Sequence, residues 1–146
     1  MGMDLMNAAG ETARFKCTAW CTMLKLAYLY GWEPRGTEWD AYPYRKPGEP
    51  ETPWKQEIDG WDGNYTSNGC QLVTKEDAAG IADALEGALE DVPDSDVGET
   101  RVKYGPKMVY SGPGVPTGLL EFFSGAGKQD VRAFVAFCRV GAFRIT

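Results

Sequence analysis

The amino-acid sequence predicts an α+β domain in which three or four helices pack on a small, mainly antiparallel sheet, with a long aromatic- and proline-rich loop between them. Three observations carry that expectation. Apolar residues recur at helical spacing over 19–30, 77–92 and 128–139; short runs that suit strands stand at 3–6, 13–16, 70–73 and 143–145; and the stretch from 32 to 69 follows neither period. The 146 residues have the length of one ordinary domain, enough to bury roughly 70% of the surface that the unfolded chain exposes. The expectation is therefore a single domain over 1–146, with residues 33–60 as a partly docked loop excursion.

Each element has its local reason. Met3–Met6 and Ala13–Lys16 flank the turn-rich Asn7-Ala8-Ala9-Gly10-Glu11-Thr12 and suit a hairpin. Thr18 serves as N-cap of a helix over Ala19–Tyr30 that Gly31 ends. Cys17, Cys21, Leu24 and Tyr28 fall on one stripe of that helix, with Trp20, Met23 and Ala27 beside it; only Thr18, Thr22 and Lys25 read as wet. Prolines 34, 43, 47, 50 and 53 forbid a helix in the following stretch, yet it holds Trp32, Trp39, Trp54, Trp61, Tyr42, Tyr44 and Tyr65, too many rings to leave in water. Cys70–Val73 reads as a strand. Thr74 then caps a helix whose apolar face is Ala78, Ile81, Ala82, Leu85, Ala88, Leu89 and Val92, stopped by Pro93. Its other face carries Glu76, Gly80, Asp83, Gly87 and Glu90, and an exposed glycine costs a helix about 1 kcal/mol relative to alanine. Arg101–Tyr110 suits a further strand. Thr117–Phe123 and Lys128–Arg139 suit two helices, the second burying Val131, Phe134, Val135 and Cys138, before Gly141 and a last strand at Phe143-Arg144-Ile145.

The composition narrows the function. Fifteen basic against 21 acidic side chains give a net charge of −6, which repels a phosphate backbone, so nucleic acid is not an expected partner. No apolar run approaches the length of a membrane span, and Met1–Gly10 lacks the basic start and apolar run of a signal peptide. A cytoplasmic protein is the expectation, and the Asn64-Tyr65-Thr66 glycosylation triplet then has no role. There is no histidine, which removes the usual triads and zinc-hydrolase sites.

Several chemistries survive and each has a plainer reading. Cys17 and Cys21 could offer two thiols to a metal with Cys70 and Cys138, but their spacing is not that of a zinc knuckle and their neighbours are apolar; four buried thiols and no metal are expected. Ser124 and Lys128 are four apart instead of the three of the Ser-x-x-Lys acyl enzymes, and Phe122 and Gln129 break the phosphate-loop pattern, leaving a helix-to-helix turn. Asp62–Gly69 imitates a calcium loop without placing both its glycine and its bidentate glutamate, so an Asn/Gly turn is preferred. Paired carboxylates never require histidine, and Glu57, Asp59 and Asp62 stand among Trp54, Trp61 and Tyr65 as acids and stacking rings do in sugar sites. Solvated acids beside docked rings are the plainer account.

Two features favour a binding surface. Trp39, Tyr42, Tyr44, Trp54 and Trp61 offer the large, stiff contact area that protein interfaces use. Residues 76–99 hold nine acids and no base; Asp83, Glu86 and Glu90 form its helical stripe, and Gly80 and Gly87 admit close approach of a partner or of another segment.

The segments Tyr30-Gly31-Trp32-Glu33-Pro34-Arg35-Gly36-Thr37 and Asn68-Gly69-Cys70-Gln71-Leu72-Val73, with the helix that follows, resemble an uncharacterised group of small bacterial proteins, Cys70 interrupting the Gly-Gln expected there. The resemblance implies a bacterial, stand-alone domain and assigns no activity. Together these readings lean away from catalysis, toward an acidic binding or inhibitor-type domain, immunity-like in one version, that meets a basic protein partner and uses no cofactor. The alternative is a carboxylate-dependent enzyme acting on a small or sugar-like ligand.

Overall fold

A computed structural model describes residues 2–39, 54–55, 65–66, 68–95 and 117–146. The first alternating runs form the hairpin β1 (Gly2–Asn7) and β2 (Thr12–Lys16), with Leu5 opposite Ala13 and Met3 opposite Phe15. Asn7 closes the turn, its Oδ1 accepting from the amides of Ala9 (3.1 Å) and Glu11 (3.0 Å), while Gly10 takes the left-handed φ of 79° that the turn requires.

Helix α1 (Cys17–Leu29) begins before Thr18, and its N-cap is Lys16 with no side-chain bond. The preceding strand delivers the chain straight into the first turn. Thr22 is buried instead of wet because its hydroxyl donates to the Thr18 carbonyl at 2.6 Å. The buried face is Trp20, Met23, Leu24 and Ala27 with Leu26, and Tyr28, assigned to the buried stripe by its spacing, is 50% exposed.

After two-residue strands β3 (Glu38–Trp39) and β4 (Trp54–Lys55) come β5 (Gln71–Val73) and α2 (Lys75–Leu89), whose N-cap Thr74 accepts from the Asp77 amide at 3.3 Å as the sequence predicts. Its apolar face is buried as expected, from Ala78 to Ala88. Helices α3 (Thr117–Phe122) and α4 (Ala126–Val140) follow, and Val131, Phe134, Val135 and Cys138 are buried.

The four helices pack on a small antiparallel sheet of order β2-β1-β6-β5-β3-β4, where β6 is Phe143–Ile145. This last element lies at the centre of the sheet, between β1 and β5. Pleating puts Ala13, Leu5, Ile145 and Gln71 in one row across four strands, on the buried side of the central strands. Above the row Trp20 meets Phe134 edge-on at 5.6 Å and Phe143 at 6.4 Å, contacts worth about 0.5–1.5 kcal/mol each beyond the area they bury.

The turn before α4 is a helix-to-helix turn. Gly125, at φ 61°, donates its amide to the Pro93 carbonyl at 3.1 Å. Lys128, 8% exposed, donates to the Val92 carbonyl and to Asp94 Oδ1, both at 2.8 Å, so its ammonium clips α4 to the end of α2. The expected strand at Arg101–Tyr110 lies outside the described residues. So do the acids Glu57, Asp59 and Asp62, the rings of Trp39 and Trp54, and Tyr42, Tyr44 and Trp61.

Candidate functional site

The candidate site is a cleft of about 750 Å³ between the chain that leaves α1 and the first turns of α2. Its construction starts at Gly31, whose φ of 105° turns the chain back after α1 so that the Trp32 amide donates to the Ala27 carbonyl at 3.0 Å. The Trp32 ring then lies over Gly80 of α2, where an added Cβ would come within 3.3 Å of its Cδ1. Tyr30 lies similarly over Gly87, at 3.9 Å. The segment that approaches the glycine face of α2 is thus the protein's own.

At the floor stands Asp77, 1% exposed although it belongs to the acidic block. Its Oδ1 accepts from Trp32 Nε1 at 2.7 Å and from the Arg35 amide at 3.4 Å; its Oδ2 accepts from the Tyr65 hydroxyl at 2.5 Å. The Tyr65 hydroxyl in turn accepts from the Gly36 amide at 3.0 Å, and the Tyr65 carbonyl accepts from Trp20 Nε1. Trp32 and Tyr65 meet edge-on at 5.2 Å. Loss of water pushes the Asp77 carboxyl above its ordinary range, against the opposing pull of the Tyr65 and Trp32 bonds, the Arg35 amide and the Arg35 charge. Burial and the Asp77 charge likewise push the Tyr65 hydroxyl up, so it stays a donor.

The cleft wall carries Glu33, Arg35, Glu38, Thr74 and Glu76 around that floor. The described lining thus holds four carboxyl groups and one guanidinium. Asp77 has each oxygen occupied by donors, which suits it to fixing the wall and setting the field more than to exchanging protons with a ligand.

The acidic stripe of α2 is partly committed inside the fold. Arg139 of α4 bridges Asp83 (2.7 Å) and Glu86 (2.9 Å), and the Tyr30 hydroxyl donates to Asp91 at 2.6 Å; Glu90 is exposed. The cysteines depart from the expectation of four buried thiols. Cys138 is buried, with its thiol pushed up by desolvation; Cys17 and Cys21 are half-buried; Cys70 is exposed at a left-handed φ of 60°, its amide donating to the Ile145 carbonyl. Burial failed as an expectation there because Cys70 precedes the strand proper, in the turn that feeds it. Among the described residues no group of three acids and thiols is placed to hold a metal, and no helix is long and apolar enough to cross a membrane.

Asp77 was not singled out by the sequence reading, although one signal marks it. Helical spacing aligns it with Ile81, Ala84 and Ala88, making it the one charge on a buried stripe. Its partners prove to be Trp32 and Tyr65, rings of the excursion, of which Tyr65 was expected beside Glu57, Asp59 and Asp62 instead.

Fold and site together define a two-layer α+β domain that carries an open acidic cleft on the N-terminal half of one helix. Family models, curated proteins and solved structures were all compared with this chain, and none matches.

Proposed function

We propose that this is a non-enzymatic binding domain of the bacterial cytoplasm, inhibitor-type in action, which receives a basic group of a protein partner in the cleft between Gly31–Glu38 and α2. One observation carries the reading: a cleft walled by Glu33, Glu38, Glu76 and Asp77, with Arg35 as the one cation among the described residues that line it, and its floor acid already held by three donors. Such a wall attracts a lysine or arginine side chain without demanding that the fold rearrange. The negative field continues along the helix, since Glu76, Asp83 and Glu90 follow one another at seven-residue steps, two helical turns apart. Arg139 fixes Asp83 and Glu86 in place while leaving the pair with net negative charge. An immunity-like role, covering a basic toxin, is the concrete version.

The test is capture from native lysate at low salt, followed by reconstitution with the purified partner. The reading expects a stoichiometric basic protein whose affinity falls steeply with salt and at least tenfold in a Glu33→Lys, Glu76→Lys double variant. A captured partner that is acidic, or whose affinity the double variant leaves unchanged, overturns it, and so does the absence of any stoichiometric partner.

A further inference from the structure

The opposite end of the sheet carries a second surface. Strand β2 ends the sheet order, and among the described residues β1 is its one strand neighbour, so its outer row of amides and carbonyls has no ladder to join. Beside that edge runs a separate groove of about 510 Å³ between β2, α1 and α4. Its apolar lining is Ala13, Phe15, Ala19, Ala133, Phe134 and Phe137. Phe15 is only half-buried there, with Phe134 edge-on at 5.3 Å. We propose that an extended, acidic segment of a partner protein adds to β2 as a further antiparallel strand and sets an apolar side chain into this groove.

Alternation along the strand decides the chemistry. Ala13 and Phe15 point toward the helices, so an incoming residue opposite them meets the groove and is apolar. Thr12, Arg14 and Lys16 alternate with them and are exposed, and all three also border the groove. Arg14 reaches Asp4 only at 3.4 Å across an exposed pair, and Lys16 has no ion-pair partner among the described residues. Residues opposite them are therefore acidic. Glu11 and Asp130 also line the groove, but Glu11 precedes the strand and Asp130 belongs to α4, so neither lies in that outer row.

The same row argues against a second copy of this chain. Two-fold antiparallel pairing centred on Arg14 sets Arg14 against Arg14, and pairing centred on Phe15 sets Arg14 against Lys16 twice; pairing centred on Ala13 avoids like charges but lays the Phe15 ring against Glu11. Like charges directly opposed destabilise a ladder. A carboxylate-bearing strand meets no such conflict.

The experiment uses the full chain and three capped hexapeptides: Glu-Phe-Glu-Val-Glu-Val, the same peptide with lysine for glutamate, and the acidic peptide N-methylated at alternate amides. Fluorescence anisotropy with labelled peptides is expected to show saturable binding of the acidic peptide, at least tenfold weaker binding of the lysine peptide, and none of the N-methylated one. Lys16→Glu and Ala133→Trp, both at exposed positions, are each expected to weaken the acidic peptide tenfold while leaving the circular dichroism spectrum unchanged. Equal binding of acidic and lysine peptides, indifference to N-methylation, or no binding at all overturns the proposal. Sedimentation showing a dimer that Ala133→Trp dissociates also overturns it, and assigns the edge to a second copy.

Discussion

The Tyr65 hydroxyl donates to Asp77 across twelve residues of sequence, and the same carboxylate holds Trp32 from the other side. One buried acid thereby pins residues near both ends of the 32–69 stretch to the first turn of α2. Tyr65→Phe removes the donor to Asp77 and the acceptor for the Gly36 amide, leaving buried polar atoms unpaired. The expected cost is about 1–3 kcal/mol, read as a lower urea midpoint with little change in slope. A Tyr65→Phe midpoint equal to wild type would mean that the network contributes nothing to stability.

The Asp77 carboxyl gives the protein a pH dependence of unusual sign. Its proton affinity is raised in the folded state by burial, so its contribution is most favourable below the ordinary aspartate value of 3.8 and is lost as pH rises through the higher folded value. Asp94 runs the other way: Lys128 lowers its pKa, so its contribution is present above 3.8 and is lost as pH falls through the depressed value. Asp77→Asn removes the first dependence and Asp94→Asn the second. Urea titrations between pH 3 and 7 are expected to show wild type gaining on Asp77→Asn as pH falls, and losing its advantage over Asp94→Asn over the lower part of that range.

The two glycines of α2 separate propensity from packing. Alanine at an exposed helical position is worth about 1 kcal/mol over glycine. At Gly87 the added Cβ meets Tyr30 at 3.9 Å, an ordinary contact, so Gly87→Ala is expected to stabilise by most of that amount. At Gly80 the Cβ meets Trp32 at 3.3 Å, and that ring cannot retreat without stretching its bond to Asp77. Gly80→Ala is therefore expected to gain nothing or to lose stability. Equal gains at both positions would show that Trp32 yields freely.

Lys128 belongs to the structure more than to any chemistry. Its nearly buried ammonium satisfies the Val92 carbonyl, and Lys128→Met leaves that carbonyl without it. Thermal unfolding should register about 1–3 kcal/mol of destabilisation, which for a domain of this size lowers the midpoint by roughly 2–4 °C per kcal/mol. Asp94→Asn, at an exposed partner, is expected to change much less.

How far the sequence could be read follows from the range of the forces involved. Helix α2 was legible from Thr74 to its end because cap, apolar stripe and Pro93 are all local, and α4 likewise showed its buried face at helical spacing. The central place of β6 was not legible, since three residues of alternation do not specify neighbours that lie some 70 and 140 residues away. The cleft was hidden for the same reason. Asp77 reads locally as one more acid in an acidic block, and only the return of Trp32 and Tyr65, from 45 and 12 residues away, makes it a buried floor. Nor could spacing show that Arg139 would occupy the Asp83–Glu86 stripe, because that contact needs α2 and α4 already packed.

Cys70 offers the sharpest comparison of sequence with backbone. It is the one described residue other than glycine at positive φ, and its amide and carbonyl are both tied, to the Ile145 carbonyl at 2.8 Å and to Arg144 Nη1 at 2.9 Å. Those bonds hold a conformation that an L side chain adopts at a cost of about 1–2 kcal/mol. Cys70→Gly removes that cost but enlarges the freedom of the unfolded chain, which takes back part of the gain. The net expectation is a stabilisation of up to about 1 kcal/mol, seen as a higher urea midpoint. Cys70→Ala keeps the Cβ and is expected to stay at the wild-type midpoint, so a gain common to both variants would point to the thiol instead of the backbone. A loss in Cys70→Gly alone would mean that the side chain contributes packing that outweighs its strain.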